Sequence, residues 1–161
     1  MITLQPISPE AFPAFFEQAV TFYAAQNVAA GRFTESDALA LSRADTLKLL
    51  PDGIETAGQF FFSILVASQD EPVGHLWLAS MPRGSSRIMF VCQVIIKPEL
   101  RRRGHARSAL LAAEELAAEH GLPGIGLHVF AHNAEAQALY RALGYKVASL
   151  NMLKPLGPSD A

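Results

Sequence analysis

VIIKPELRRRGHARSALL, residues 94–111, runs from an apolar segment through three arginines and a glycine into a second apolar segment. Upstream, Ile88–Ile96 is apolar except for Gln93, the pattern of a central strand buried on both faces. Downstream, Ala106, Ala109, Leu110, Ala113, Leu116 and Ala117 recur at helical spacing and predict an amphipathic helix, with Gly121 as its C-terminal cap. A strand, a tight glycine loop and a helix N-terminus together make an anion site. The first helical amides lack internal partners, and the helix dipole adds partial positive charge. Gly104 lets a phosphate approach the backbone, Ala106 keeps the next turn thin, and Arg102, Arg103 and Arg107 supply charge-assisted donors. No Gly-Lys-Ser/Thr follows, and one glycine is not a dinucleotide fingerprint. On spacing alone, a phosphate site and a short connection with solvated arginines stand level. A nucleic-acid patch is disfavoured by Glu99 within the loop and by the net charge of -2.

Ahead of this segment, Ile2–Ile7 alternates as a short strand. A helix is expected from Pro9 to Gly31, capped by Ser8, with Phe12, Phe15, Phe16, Ala19, Val20 and Tyr23 on one face. A second helix is expected from about Thr34 to Leu50, stopped by Pro51. Phe60–Ala67 and Val73–Ala79 read as a hairpin, and a loop, MPRGSSR, follows. Beyond the central helix, Ile125–Phe130 reads as a strand and Asn133 opens a short helix ended by Gly144. Tyr145–Leu153 reads as a last strand, bent or hairpinned. The order predicts a single α/β (α+β) domain over residues 1–161 with a mixed sheet.

Composition narrows the function. The 161 residues are 50% hydrophobic and 17% charged, which excludes a disordered chain. Cys92 is the sole cysteine, so no internal disulfide forms and the common cysteine-rich zinc sites are excluded. The five histidines lack metal-ligand spacing, and no metal is expected. No signal peptide and no bilayer-length apolar run is seen. The expectation is a cytoplasmic protein with neither membrane nor nucleic-acid partners.

The run Arg101, Arg102, Arg103, Gly104, His105, Ala106 resembles the acetyl-CoA loop, Gln/Arg-x-x-Gly-x-Gly/Ala, of the GCN5-related N-acetyltransferase (GNAT) superfamily. LHVFAHNAEAQALYRALGY, residues 127–145, resembles the second half of the same fold: an asparagine, then Ala-x-x-Leu-Tyr, then Leu-Gly-Tyr. The two motifs occur in the family's order and separation. LHVFAHN with the late SLNMLKPL is most similar to a subgroup of small bacterial acetyltransferases. The resemblance implies a GNAT-like acyl-CoA N-acyltransferase fold, with a mixed, mostly antiparallel central sheet flanked by helices. It also implies an acetyl-CoA donor and a primary amine acceptor on a small molecule or a protein. Backbone groups of Val94, Ile95 and Ile96 would pair with the pantetheine arm, and loop residues Arg101 to Arg107 would hold the pyrophosphate. Asn133 would touch the cofactor while capping its helix.

Direct acetyl transfer needs a neutral amine, a stabilised carbonyl oxygen and a protonated leaving thiolate. The resemblance assigns the thiolate's acid to Tyr140, which also touches the cofactor; its bland alternative is a packed ring. Many relatives carry a carboxylate base on the central strand, where this chain has Phe90, Cys92 and Gln93. His128, at the offset from Asn133 of the glutamate base in ribosomal-protein acetyltransferase relatives, is the expected base. Its alternative is a histidine hydrogen-bonded on a sheet face. His75 reads as structural, His105 as packing near the nucleotide, His132 as solvated and Cys92 as a buried small hydrophobe. Glu35, Asp37, Asp45 and Asp52 either attract a cationic acceptor or form a solvated helix face, the more ordinary reading. The missing strand carboxylate leaves a second class open: an acyl-CoA-binding sensor without turnover. Edge strands of this fold can also pair two copies into a homodimer.

Overall fold

The structure is a computed structural model and describes residues 1–157. β1 (Ile2–Pro6) leads to α1 (Phe12–Ala29) and α2 (Ala38–Leu49), then to the strands β2 (Gln59–Val66), β3 (Gly74–Arg83) and β4 (Ser86–Ile96). α3 (His105–Glu119), β5 (Ile125–Leu127) and α4 (Ala134–Ala142) follow. The sheet order is β1-β2-β3-β4-β5, antiparallel except for the parallel β4–β5 pair. A parallel pair needs a crossover, which α3 supplies.

One face of the sheet packs on α3. Ile64, Leu76, Leu78, Met89 and Val91 meet Ala109, Leu110, Ala113 and Ala117 in a wholly apolar cluster. The small residues of α3 bring its axis close to the strands. The opposite face packs on α1, where Phe15, Ala19, Phe61 and Trp77 form an aromatic cluster with Cys92 against it. Phe15 lies edge-on to Phe61, His75 and Trp77, a geometry aromatic rings favour. Gly74 is fixed by a close approach: an added Cβ would strike the Ile95 carbonyl of the neighbouring strand.

Several expectations are corrected. α1 begins at Phe12 rather than Pro9, with Pro13 in its first turn. Ser8 instead closes the preceding turn, its Oγ accepting from the Ala11 amide at 3.3 Å. α2 begins at Ala38, four residues after Thr34, because Thr34–Asp37 forms a turn. The expected loop Met81–Arg87 is largely strand: β3 reaches Arg83 and pairs with β4 down to Arg83↔Ser86, leaving Gly84 and Ser85 to turn. β4 is not buried on both faces. Its residues from Ile88 to Gln93 alternate half-buried with buried, because one flank opens on a cleft. β5 stops at Leu127, and no strand forms over Tyr145–Leu153, where the described backbone carries no strand pairing.

Candidate functional site

The site begins with a fault in the sheet. Between Trp77↔Gln93 and Leu78↔Val91 the β3–β4 register slips by one residue, so Cys92 is a β-bulge. A bulge bends its strand and sharpens its twist. Beyond it β4 and β5 part: only Met89–Val91 pair with Ile125–Leu127. Val94 and Ile95 therefore face the gap without a strand partner on that side. Ile96 differs, because its carbonyl accepts from Arg101 Nε at 3.0 Å.

The gap widens into a cleft of about 1040 Å³. One wall is Val94, Ile95, Ile96 and the start of α3; the other carries His128, Phe130, Asn133 and Tyr140; Tyr23, Gln26 and Arg32 come from α1 and the turn after it. Every expected site residue lines this cleft except Arg103, whose Nη2 turns to the Glu99 carbonyl at 3.4 Å.

At the mouth, the Arg–Gly loop takes up an anion-binding shape. Gly104 is left-handed, with φ 82°, and directly precedes α3; Arg102 is also left-handed, with φ 60°. Successive residues of this kind turn their amides toward one side. No amide from Arg102 to Arg107 finds an acceptor among the described residues; the first to bond is Ser108, to the Gly104 carbonyl at 3.0 Å. α3 has no side-chain cap, so these donors and the dipole point at open cleft. The residues fit a pyrophosphate. Arg102 also meets Glu135 at 3.1 Å, but both side chains are more than four-fifths exposed, so the pair contributes little.

Deeper in the cleft, Tyr140 is half-buried in α4, and burial raises its phenol above the ordinary range. It therefore remains a protonated acid at neutral pH. The Tyr145 ring sits 5.7 Å away. Its own phenol is pushed up to about 12, first by burial and then by Glu114 and Tyr140. Asn133 caps α4, its Oδ1 accepting from the Ala136 amide at 3.3 Å. His128 stands just past the end of β5, exposed, with its ring edge-on to Phe130 at 4.9 Å. This corrects its expected place within the paired strand: the splay of β4 from β5 releases it into the cleft wall.

The other candidates fall away on geometry. His75 is buried edge-on to Phe15, its Nε2 3.5 Å from Gln93 Oε1, and desolvation lowers its pKa to about 4. It is neutral and held away from the cleft. Burial pushes the Cys92 thiol up to about 12, far from a reactive thiolate. His132 is exposed, as expected, with its Nε2 3.3 Å from Gln26 Oε1 of α1. Glu35, Asp37, Asp45 and Asp52 do not line the cleft. Among the described residues, no group of three or more His, Cys, Asp or Glu side chains could hold a metal ion.

Sequence reasoning missed the wall contributed by α1. Asn27 is fully buried; its Nδ2 donates to the Tyr23 carbonyl and its Oδ1 accepts from Arg32 Nη1, both at 2.7 Å. The Asn27 carbonyl also takes the Arg32 amide at 2.9 Å. Arg32 is thereby fixed at the lip of the cleft. An asparagine within an apolar helical stretch was the available signal.

Residues 20–145 match the acetyltransferase (GNAT) family. The chain is 33% identical to the uncharacterized N-acetyltransferase YdgE of Bacillus subtilis, over 96% of this chain and 98% of the relative. The crystal structure of YycN, also from Bacillus subtilis, superposes with a TM-score of 0.89 at 31% identity, covering 97% of this chain and 99% of that one. The fold alone is shared with AAC(6')-Iy, solved with a CoA-linked acetylneamine bisubstrate analog, at a TM-score of 0.59 and 12% identity over 96% of this chain and 97% of that one. This chain belongs to the acetyltransferase (GNAT) family.

Proposed function

We propose that the protein is an N-acetyltransferase that moves the acetyl group of acetyl-CoA directly to a primary amine. The observation that carries this reading is the row of unbonded amides from Arg102 to Arg107 around left-handed Gly104, opening into the cleft that holds Tyr140. The loop takes the pyrophosphate, with Arg102 and Arg107 adding charge. The free flank of Val94 and Ile95 takes the pantetheine arm as an added strand, and Asn133 and the apolar wall hold it in place.

In the reaction, the amine nitrogen forms a bond to the thioester carbon and the carbon–sulfur bond breaks. Tyr140 gives its proton to the departing sulfur, a role suited to a phenol kept protonated by burial. His128, directly or through water, takes the proton the amine loses. No carboxylate on β4 competes for this role.

The lining also narrows the acceptor. Among the described lining residues Glu135 is the one carboxylate, and it stands exposed beside Arg102 at the mouth. Arg32, presented by buried Asn27, is the cation on the α1 side. This supports an acceptor amine that also bears a carboxylate, rather than a polycation. A lone thiol with no disulfide partner supports a reducing, cytoplasmic setting.

The absence of a β4 carboxylate favours one rival, an acyl-CoA-binding module without turnover. A screen of amines in matched pairs, with and without the carboxylate, separates the readings by release of free CoA. We expect turnover that prefers the carboxylated member, a kcat about 100-fold lower in Tyr140→Phe, and a KM about tenfold higher for carboxylated amines in Arg32→Gln. Binding of acetyl-CoA without amine-dependent release would establish the rival.

A further inference from the structure

Away from the Arg–Gly loop, the cleft carries a wall that amine chemistry alone does not call for. Four apolar side chains from four elements line it: Phe22 of α1, Leu49 of α2, Met81 of β3 and Phe90 of β4. Leu49 and Met81 are 53% and 37% exposed. Of the exposed leucines on α2, Leu49 alone lines the cleft. Met81 and Phe90 share a sheet face, because Phe90 lies opposite Ala79 and Met81 follows Ala79 by two residues. Phe90 also pairs with Gly126, two residues before His128, and its ring passes 3.9 Å from the place a Cβ would take on that glycine. The apolar wall therefore adjoins the imidazole proposed to take the amine's proton. Water against such a wall is favourably displaced by an apolar group.

A separate wall supplies charge. Arg32 is exposed at the lip, and its Nη1 is held by Asn27 Oδ1 at 2.7 Å. Its other guanidinium donors meet no acceptor among the described residues. A guanidinium presented in this way receives a carboxylate through paired charge-assisted bonds. Glu135, the one carboxylate among the described lining residues, stands at the mouth beside Arg102 instead. An apolar group, a carboxylate and an amine thus each have their own wall.

We propose that the acceptor is a free α-amino acid with a large apolar side chain, of the leucine or phenylalanine kind. This rests on the transferase reading above. The side chain lies against Phe22, Leu49, Met81 and Phe90, the carboxylate meets Arg32, and the α-amine faces His128. The neutral amine nitrogen bonds to the thioester carbon and the carbon–sulfur bond breaks. One amine proton passes to His128 and Tyr140 protonates the sulfur, leaving an N-acetyl amino acid and the free thiol of CoA. A polycation finds no carboxylate on these walls, and a peptide N-terminus brings none to Arg32. Three walls around one carbon also distinguish mirror images.

Release of free CoA tests this, measured with both enantiomers of phenylalanine, glycine, phenylalaninamide, phenethylamine and spermidine. We expect one enantiomer of phenylalanine to exceed every other amine by at least about tenfold in kcat/KM. Leu49→Asp and Met81→Asp should each lower that value at least about tenfold, mainly through KM. Both side chains are exposed, so the variants should fold, which titration with acetyl-CoA checks. Equal use of glycine and phenylalanine, or a preference for phenylalaninamide, phenethylamine or spermidine, would overturn this inference and leave the transferase reading standing. Unchanged kcat/KM in both variants would do the same. No amine-dependent release with any of the six, from a protein that binds acetyl-CoA, would overturn both.

Discussion

The two faces of the sheet are built on different principles. On the α3 face the buried cluster is entirely apolar. On the α1–α2 face lie the buried polar side chains Asn27, Ser42, Thr46, His75 and Gln93. All but His75, which meets the Gln93 side chain, are fastened to the backbone: Gln93 Nε2 donates to the Ala19 carbonyl at 3.0 Å, Ser42 Oγ to the Val20 carbonyl at 2.6 Å and Thr46 Oγ1 to the Ser42 carbonyl at 2.8 Å. α2 even turns Ser42 and Thr46 inward and leaves Leu39 and Leu47 half-exposed. Apolar packing tolerates exchange of one hydrophobe for another. A buried polar contact does not, because losing one partner strands the other. The donor side of the cleft therefore rests on α3 through shape, and the α1–α2 side is locked in position by specific hydrogen bonds.

Mutations can sharpen or break this contrast. The largest expected effect is Leu110→Ala on the apolar face, which empties a fully buried site and should cost about 2–5 kcal/mol in denaturant unfolding. A loss below 1 kcal/mol would mean that this face is not the main source of stability. Next comes the acid side of the pH profile, set by His75. Its folded pKa, about 4, lies below the ordinary imidazole value of 6.5 because burial disfavours the charged form. Below 6.5 the unfolded chain binds the proton that the folded chain refuses. Stability is thus complete above 6.5 and falls as pH drops toward 4, by about 3 kcal/mol at most. His75→Leu should flatten that slope; a slope unchanged in this variant would remove His75 as its cause.

Gln93→Leu should cost about 1–3 kcal/mol, since buried His75 loses its side-chain partner and the bond that ties β4 to the Ala19 carbonyl of α1 is removed. A neutral result would erase the distinction between the faces. The smallest effect belongs to the outer surface of the same helices. Arg43 grips both Glu17 carboxylate oxygens at 2.8 Å, yet both side chains are about half exposed. Glu17→Gln should leave the melting midpoint unchanged within error.

The contrast also explains what could be read beforehand. Features of the donor side are local. Gly104 before an apolar stripe, Asn133 three residues ahead of Ala136, and Gly144 at φ 93° each announce a terminus through adjacent residues. The α1–α2 side depends on contacts between distant residues: Gln93 meets Ala19 across 74 positions. No periodicity shows that an isolated polar residue on a strand will be buried against a helix. The Cys92 bulge was hidden for a similar reason. Val-Cys-Gln-Val alternates well enough to pass for regular strand, and only the pairing with β3 shows the slip. The slip lies where β4 and β5 part, beside the early end of β5 and the exposed His128. Tyr145–Leu153 has a composition that suits a strand, yet its described backbone pairs with no other strand, which composition does not reveal.

The central claim is that the loop around Gly104 receives acetyl-CoA. Calorimetric titration of acetyl-CoA into the wild-type protein and into Gly104→Val tests it most directly. An added Cβ at Gly104 meets no atom within 4 Å, so the variant should fold, with left-handed strain of about 1–2 kcal/mol. Its branched side chain would project into the space proposed for the pyrophosphate. The account predicts one-to-one binding to the wild type and affinity at least tenfold weaker in the variant. No heat at millimolar acetyl-CoA, or equal binding by both proteins, would contradict it.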